Sequence, residues 1–396
     1  MFEKLNGRPA DSLLALIKAF QADERAGKID LGVGVYRDGM GRTPVMRAVK
    51  AAEQFLLETQ DSKKYLGPEG DLQFVRLLQP IIFGKSPKFE HRLVGIQTPG
   101  GSGALRLGAE LAQTANPSAK VLLGTPSWPN HAPIFASAHL AVKDYAFVDL
   151  TSQRVKFDSV ITALSSAGEG DVVLLHGCCH NPTGIDFTIE QWLEITELLV
   201  THRLVPFIDL AYQGLGDGLE QDAAPTRMIL DAVDEALIAY SCDKNFGLYR
   251  ERVGALYVMT RNGDDLRKAE SNMAALARVN WSMPPDHGAA IVRTILESPE
   301  MTIMWRAELE EMCLRVNGNR AALAAAAPDL AFIRQQRGLF SNLSMSKETA
   351  IALRAKHGIY MADSGRMNLA GMQPDDAGAI VAALRTEGCL KSSTAA

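Results

Sequence analysis

The chain has 396 residues, 47% of them apolar and 22% charged, with a formal net charge of −5. That length exceeds one ordinary domain and suits two or three, and the composition is that of a globular protein. The acidic balance offers no basic face for nucleic acid or an anionic membrane, and no apolar run approaches the ~18 residues of a bilayer span.

The opening stretch "MFEKLNGRPADSLLALIKAF" carries acids early and lacks the basic-then-apolar pattern of a secretory signal. It reads as an arm followed by an amphipathic helix from about Asp11. From about residue 90 to 260 the pattern alternates strand, turn and helix. Apolar runs recur at "KVLLGTP" (120–126), "DVVLLHG" (171–177), "LVPFIDLAY" (204–212), "ALIAYS" (236–241) and "GALYVMT" (254–260). Continuous runs of this kind suit strands buried on both faces of a mainly parallel sheet. Helical patterns lie between them, at "SGALRLGAELAQTAN" (102–116) and "TIEQWLEITELLVTHR" (188–203), the latter with Thr188 and Gln191 spaced as a capping box. The alternation predicts an α/β sandwich. Further on, "MTIMWRAELEEMCLRVNGNRAALAAAA" (301–327) is a long helical stretch. Shorter strands follow it, with helices at "SKETAIALRAKHG" (346–358) and "PDDAGAIVAALRTEG" (374–388), and together they read as a smaller α+β domain. The arm and the residues to about 44 are expected to belong to that domain, and the tail "KSSTAA" reads as frayed.

Ligands of open α/β sheets bind beyond the carboxyl ends of the strands. Polar clusters stand at four such ends: Ser127-Trp128-Pro129-Asn130-His131, Cys178-Cys179-His180-Asn181, Asp209-Leu210-Ala211-Tyr212 and Ser241-Cys242-Asp243-Lys244. Asp209 closes the run "LVPFID" with no cation beside it in sequence. A buried carboxylate needs a partner. A protonated ring nitrogen would serve, with His131 on the other oxygen; the alternative is an aspartate that caps its own loop. The turn "QTPGGSGALRLG" (97–108) opens a helix, so its N–H groups and dipole form an anion cup, although such turns also serve close packing alone. It is not a dinucleotide fingerprint, because Arg106 stands where the last glycine belongs, and no G-K-[ST] follows. Ser241 and Arg252 are candidate further donors to the same anion. Lys244, between two core strands, is either a loop cation or a reactive amine. Amine, ring-nitrogen acid and phosphate cup together match pyridoxal phosphate.

Five cysteines, an odd number, argue against a disulfide framework and for reduced thiols in the cytoplasm. Cys178 and Cys179 beside His176 and His180 suggest a metal site, but no second, similarly spaced cluster accompanies them, so no metal is expected.

The segments "SCDKNFGLYRERVGA", "HGCCHNPTG", "IDLAYQGLGDG", "TPSWPNH" and "SGRMNLAGM" together resemble the aspartate and aromatic amino acid aminotransferases of class I, in unbroken order from about residue 1 to 390. That resemblance implies a three-layer α/β/α large domain with a mainly parallel seven-stranded sheet over 45–308. It also implies a smaller α+β domain made of 1–44 and 309–396. Lys244 matches the lysine that forms an imine with pyridoxal 5′-phosphate, and Asp209 the acid at the pyridine nitrogen. Tyr212 and Asn181 match the partners of the ring hydroxyl oxygen, and Trp128 the indole stacked on the ring. Gly101, Ser102, Ser241 and Arg252 match the phosphate cup, and Tyr65 a tyrosine that reaches the neighbouring subunit's phosphate. Arg366 matches the clamp on the substrate's α-carboxylate, Gly34 a backbone wall of that pocket, and Arg278 the partner subunit's arginine for a distal carboxylate. The implied reaction moves an amino group from an amino acid to a 2-oxo acid, commonly 2-oxoglutarate, with ping-pong kinetics in a homodimer with shared sites. Asp243 departs from the family, whose members usually carry serine or a similar small residue there; an inward carboxylate would repel the phosphate.

The stretch 209–227 is most like bacterial aromatic or broad-specificity members, and Trp281 and Met283 make the surroundings of Arg278 less polar, which favours an aromatic or dual preference. A strict aspartate enzyme is the alternative. A β-decarboxylase or lyase on the same scaffold, and a non-catalytic cofactor-binding regulator, are further readings; the latter lacks a basic DNA-binding extension here.

Overall fold

The computed structural model describes residues 1–7 and 12–391. The chain divides into two compact units: a larger one of Pro44–Asn317 with Gln336–Gly338, and a smaller one of Met1–Thr43, Gly318–Gln335 and Leu339–Ala396.

The larger unit is built on seven strands: β1 (Leu93–Pro99), β2 (Lys120–Thr125), β3 (Ala141–Ala146), β4 (Val172–His176), β5 (Val205–Leu210), β6 (Ala236–Ser241) and β7 (Val253–Met259). Their order is β1-β7-β6-β5-β4-β2-β3, and only the pairs made by β7 are antiparallel. The helices that matter for the site are α1 (Leu72–Phe83), α2 (Gly100–Ala115), α3 (Ile189–Thr201), α4 (Leu219–Ala232) and α5 (Gly263–Asn280).

The strands alternate side chains between two covered faces, so both faces are apolar. Leu123, Leu174, Phe207, Leu237 and Leu256 join Leu105 and Leu107 of α2 and Met273 of α5 in one core. The alternate residues Leu122, Val173, Ile208, Ile238 and Tyr257 are also fully buried, on the opposite face. There the Tyr257 hydroxyl donates to the Val75 carbonyl of α1 at 2.6 Å. The five apolar runs read from the sequence are thus β2, β4, β5, β6 and β7, and the two outer strands complete the sheet. Strand β1 is broken in sequence by Gly95 and Gln97. A Cβ on Gly95 would lie 2.4 Å from the Tyr257 ring. The Gln97 side chain is fully buried, accepting from Asp71 N–H at 2.8 Å and donating to Pro285 O at 2.7 Å. Strand β3, "AVKDYA", is a mostly exposed edge strand whose charges discourage further pairing. Helix α3 begins with the capping box of Thr188 and Gln191.

In the smaller unit Ile29–Asp30 pairs in parallel with Ile359–Tyr360, and Phe340–Asn342 pairs antiparallel with Arg366–Asn368. Leu31, Ile333, Leu353, Met367 and Ile380 form its core. Helix Lys347–His357 starts at the Ser346 cap and stops at Gly358 in the left-handed region. The N-terminal helix covers Ser12–Ala22; Asp11, where the sequence pattern starts it, lies outside the described residues, as does most of the "KSSTAA" tail. Among the described residues no helix is long and apolar enough to cross a membrane.

Candidate active site

The carboxyl ends of β1, β2, β4, β5 and β6 lie along one edge of the large sheet, with the start of the antiparallel β7 beside them. Parallel pairing sets His176, the last residue of β4, in register with Asp209 of β5. Asp209 is buried, and its Oδ2 accepts from His131 Nε2 at 3.0 Å. In the neutral imidazole that bond leaves Nδ1 to accept from the Ser127 hydroxyl, at 2.8 Å. The second carboxylate oxygen of Asp209 accepts no hydrogen bond among the described residues. Burial pushes the Asp209 carboxyl up, but the His131 hydrogen bond and the electrostatic influence of the neighbouring His131, His176 and Lys244 side chains together outweigh it, so the net shift is downward. The carboxylate is therefore held ionised with one oxygen to offer.

His131 is fully buried and meets the Trp128 ring edge-on, with centroids 5.1 Å apart. His176 lies 5.1 Å from it on the other side, followed by His180 at 4.2 Å. Burial, then the charge of His131, lowers the His176 pKa to about 3 against the opposing pull of Asp209, so this ring stays neutral.

Lys244 follows β6 and is half-buried, its Nζ 5.5 Å from the centre of the Tyr212 ring. Desolvation lowers its pKa more than Asp243 and Asp209 raise it, with Arg252 adding to the fall. An amine shifted this way carries more of the uncharged, nucleophilic form. The Tyr212 hydroxyl accepts from Asn181 Nδ2 at 3.4 Å, so both side chains converge beside the lysine.

Next to them helix α2 starts without any side-chain cap. Its first residue, Gly100, has φ +68°, and a Cβ there would lie 2.7 Å from Arg252 Nη2; a Cβ on Gly101 would lie 3.1 Å from the Ser241 Cβ. Gly254 of β7 backs the same point, where a Cβ would meet the Gly100 carbonyl carbon at 2.7 Å. Bare backbone, the N–H groups of Gly101 and Ser102, the Ser241 hydroxyl and Arg252 thus surround the helix start, as an anion cradle requires. Asp243 points inward: its carboxylate is buried and paired with Arg252 Nη1.

Tyr65 is 90% exposed on a loop, and Arg278, near the end of α5, is exposed and donates to Ser282 Oγ at 2.8 Å. The Trp281 ring packs on the core, and Met283 Sδ accepts from Leu66 N–H at 3.0 Å, so both have structural work beside Arg278. Gly34 and Arg366 belong to the smaller unit. There the Arg366 guanidinium lies 4.5 Å from the centre of the Phe340 ring, and a Cβ on Gly34 would meet that ring at 2.8 Å. Asn368 Nδ2 holds the adjoining loop through Val35 O at 2.8 Å.

All five cysteines are free thiols. Cys178 and Cys179 do meet a third group with ligating atoms, Asp222. That carboxylate already accepts N–H bonds from Gly214, Gly216 and Asp217 at 2.8 to 2.9 Å. The Cys178 thiol, pulled down by its bond with Cys179 but pushed up by burial and nearby carboxylates, ends at about 12 and stays protonated.

The family model described as aminotransferase class I and II matches residues 26–384. A tyrosine aminotransferase of Rhizobium meliloti is 52% identical over 96% of this chain and 98% of its own length. An aspartate aminotransferase of Escherichia coli is 44% identical over 95% and 97%. Among solved structures, an aromatic amino acid aminotransferase with 3-indolebutyric acid superposes with a TM-score of 0.94 at 43% identity, over 98% of this chain and 100% of that one. An aromatic-amino-acid aminotransferase from Burkholderia pseudomallei, covalently bound to pyridoxal phosphate, also gives 0.94, at 37% identity over 99% and 100%. Sequence, backbone and the lysine–carboxylate cluster agree that the chain belongs to the class I and II aminotransferase family.

Proposed function

We propose that the chain is a pyridoxal-phosphate-dependent aminotransferase that moves the amino group of an aromatic amino acid or of aspartate to 2-oxoglutarate by a ping-pong mechanism. The observation that carries this reading is that one edge of the sheet holds both a desolvated Lys244 amine beside Tyr212 and the Asp209 carboxylate, hydrogen-bonded by a fully buried His131. The cofactor's shape fits the residues present: the unmatched Asp209 oxygen suits a protonated ring nitrogen, and the glycine-lined helix start suits a phosphate. Bound there, the cofactor supplies an electron sink for the charge left when the α-carbon loses its proton.

The chain's own residues do the rest. Lys244 would hold the cofactor through Nζ and, as a free amine, would take the α-carbon proton and later return it. Asp209 keeps its charge at the ring nitrogen because His131 Nε2 holds the other oxygen. Tyr212 and Asn181 would hold the ring hydroxyl oxygen, Trp128 would cover the ring, and Gly101, Ser102, Ser241 and Arg252 would receive the phosphate. Arg366, with Gly34 beside it, binds the substrate's α-carboxylate as a bidentate pair. Tyr65 and Arg278 act across a homodimer, reaching the partner's phosphate and a distal carboxylate; their exposure in the single chain supports that role. The larger domain is placed at 45–308 and the smaller one at 1–44 and 309–396. Free thiols throughout fit a cytoplasmic location.

The test is a product assay with tyrosine or aspartate and 2-oxoglutarate. The matching 2-oxo acid and glutamate in equal amounts support transamination; release of carbon dioxide or ammonia instead assigns a decarboxylase or lyase.

A further inference from the structure

Asp243 sits between β6 and β7 with 1% of its surface exposed. Oδ2 pairs with Arg252 Nη1, Oδ1 accepts from Val253 N–H at 3.1 Å, and the Asp243 N–H donates to Ser241 Oγ at 3.3 Å. Its carboxylate is thus fully matched from within the chain. Arg252 is held at φ +54°, a conformation side-chain-bearing residues adopt only when their surroundings fix it. Its Nη1 is taken by Asp243 and by the Tyr249 carbonyl at 3.3 Å, whereas Nη2 has no partner among the described residues. A Cβ on Gly100 would touch both groups, at 2.7 Å from Nη2 and 3.0 Å from Asp243 Oδ2. Carboxylate, guanidinium and the open helix start therefore share one point, and any anion received there meets a negative charge already in place.

We propose that Asp243 is a resident counter-ion of the phosphate cup: it aims Arg252 Nη2 at the start of α2 and cancels part of the positive charge there, so the chain holds phosphate weakly and exchanges its cofactor readily. This rests on the reading of the cup as the cofactor's phosphate site. The two roles of Asp243 separate by substitution. Asp243→Asn keeps an oxygen for Val253 N–H and the same side-chain shape but removes the charge, whereas Asp243→Ser removes both charge and reach.

The experiment measures the dissociation constants of inorganic phosphate and of pyridoxal phosphate for the full cofactor-stripped chain, by calorimetry, with circular dichroism confirming each variant's fold. Asp243→Asn is expected to bind both about tenfold tighter or more, as befits removal of one like charge from a partly solvated site. Asp243→Ser shifts the same way and serves if the Asn variant does not fold. In an Arg252→Gln background absolute affinities fall but the Asp243→Asn gain is retained or enlarged, because the like charge is still removed and no guanidinium remains to offset it. Unchanged or weaker phosphate binding in the folded Asp243 variants overturns the proposal while leaving the cup intact. Affinities that ignore both Ser241→Ala and Arg252→Gln instead overturn the reading of the cup, and the proposal with it.

Discussion

Replacing His131 by phenylalanine isolates the contact that keeps Asp209 ionised. The substitution preserves a ring of similar size between Trp128 and His176, each 5.1 Å away, but removes the 3.0 Å bond to Asp209 Oδ2. A hydrogen bond to a charged group contributes about 1.5–3 kcal/mol, and a buried group left unmatched forfeits all of it. Losing that bond moves the Asp209 pKa upward. In the wild-type chain the Asp209 pKa lies below its ordinary 3.8, so its contribution is present above that value and is lost as pH falls through the lowered one. Denaturant unfolding of the cofactor-free chain should therefore show the variant less stable by about 1.5–3 kcal/mol at neutral pH, the gap closing below about pH 4. Ser127→Ala controls for the second bond of His131, at 2.8 Å. A gap below about 0.5 kcal/mol at pH 7, or one of equal size at both pH values, would refute the reasoning.

The other expectations concern neighbouring parts of the site. Gly254→Ala sets a Cβ 2.4 Å from the Tyr240 carbonyl oxygen, rigid backbone in the middle of the sheet, and should cost about 1–3 kcal/mol or more in a denaturant midpoint. Asp222→Ala strips three backbone N–H groups of the turn before α4 of their acceptor, and a loss of about 3 kcal/mol or more is expected, with partial rescue by Asp222→Asn. Lys244→Met abolishes amino transfer yet should raise the melting temperature of the cofactor-free chain at pH 7. Because the lysine pKa is lowered below 10.5, folding disfavours its charged form, so that gain should vanish as pH rises past the ordinary value.

The buried strands were legible because parallel sheets write continuous apolar runs, and their carboxyl ends named the site edge. His131 was read from the sequence as a holder of one Asp209 oxygen, and the turn after β2 does bring its imidazole there across 78 positions. What sequence alone hid is mostly long-range. His176 drew attention as a metal ligand beside the cysteines, whereas strand register assigns it to the Asp209–His131 group; the shared polar ending of "VVLLH" and "VPFID" is the signal for that. Strand β1 was obscured because Gly95 makes room for Tyr257 and Gln97 bonds to two loops, and β3 because an edge strand needs no apolar face. Asp243 was visible as an oddity, but its direction follows from the turn that brings Arg252 back, nine positions later.

The central claim, that Lys244 holds a cofactor for amino transfer, is tested most directly by absorbance on the purified chain loaded with pyridoxal phosphate. The account predicts a visible band for the lysine-bound cofactor, absent in Lys244→Ala. The band should bleach on adding tyrosine or aspartate alone and return on adding 2-oxoglutarate. A band that forms equally well in Lys244→Ala, or that neither amino acid bleaches, would contradict it.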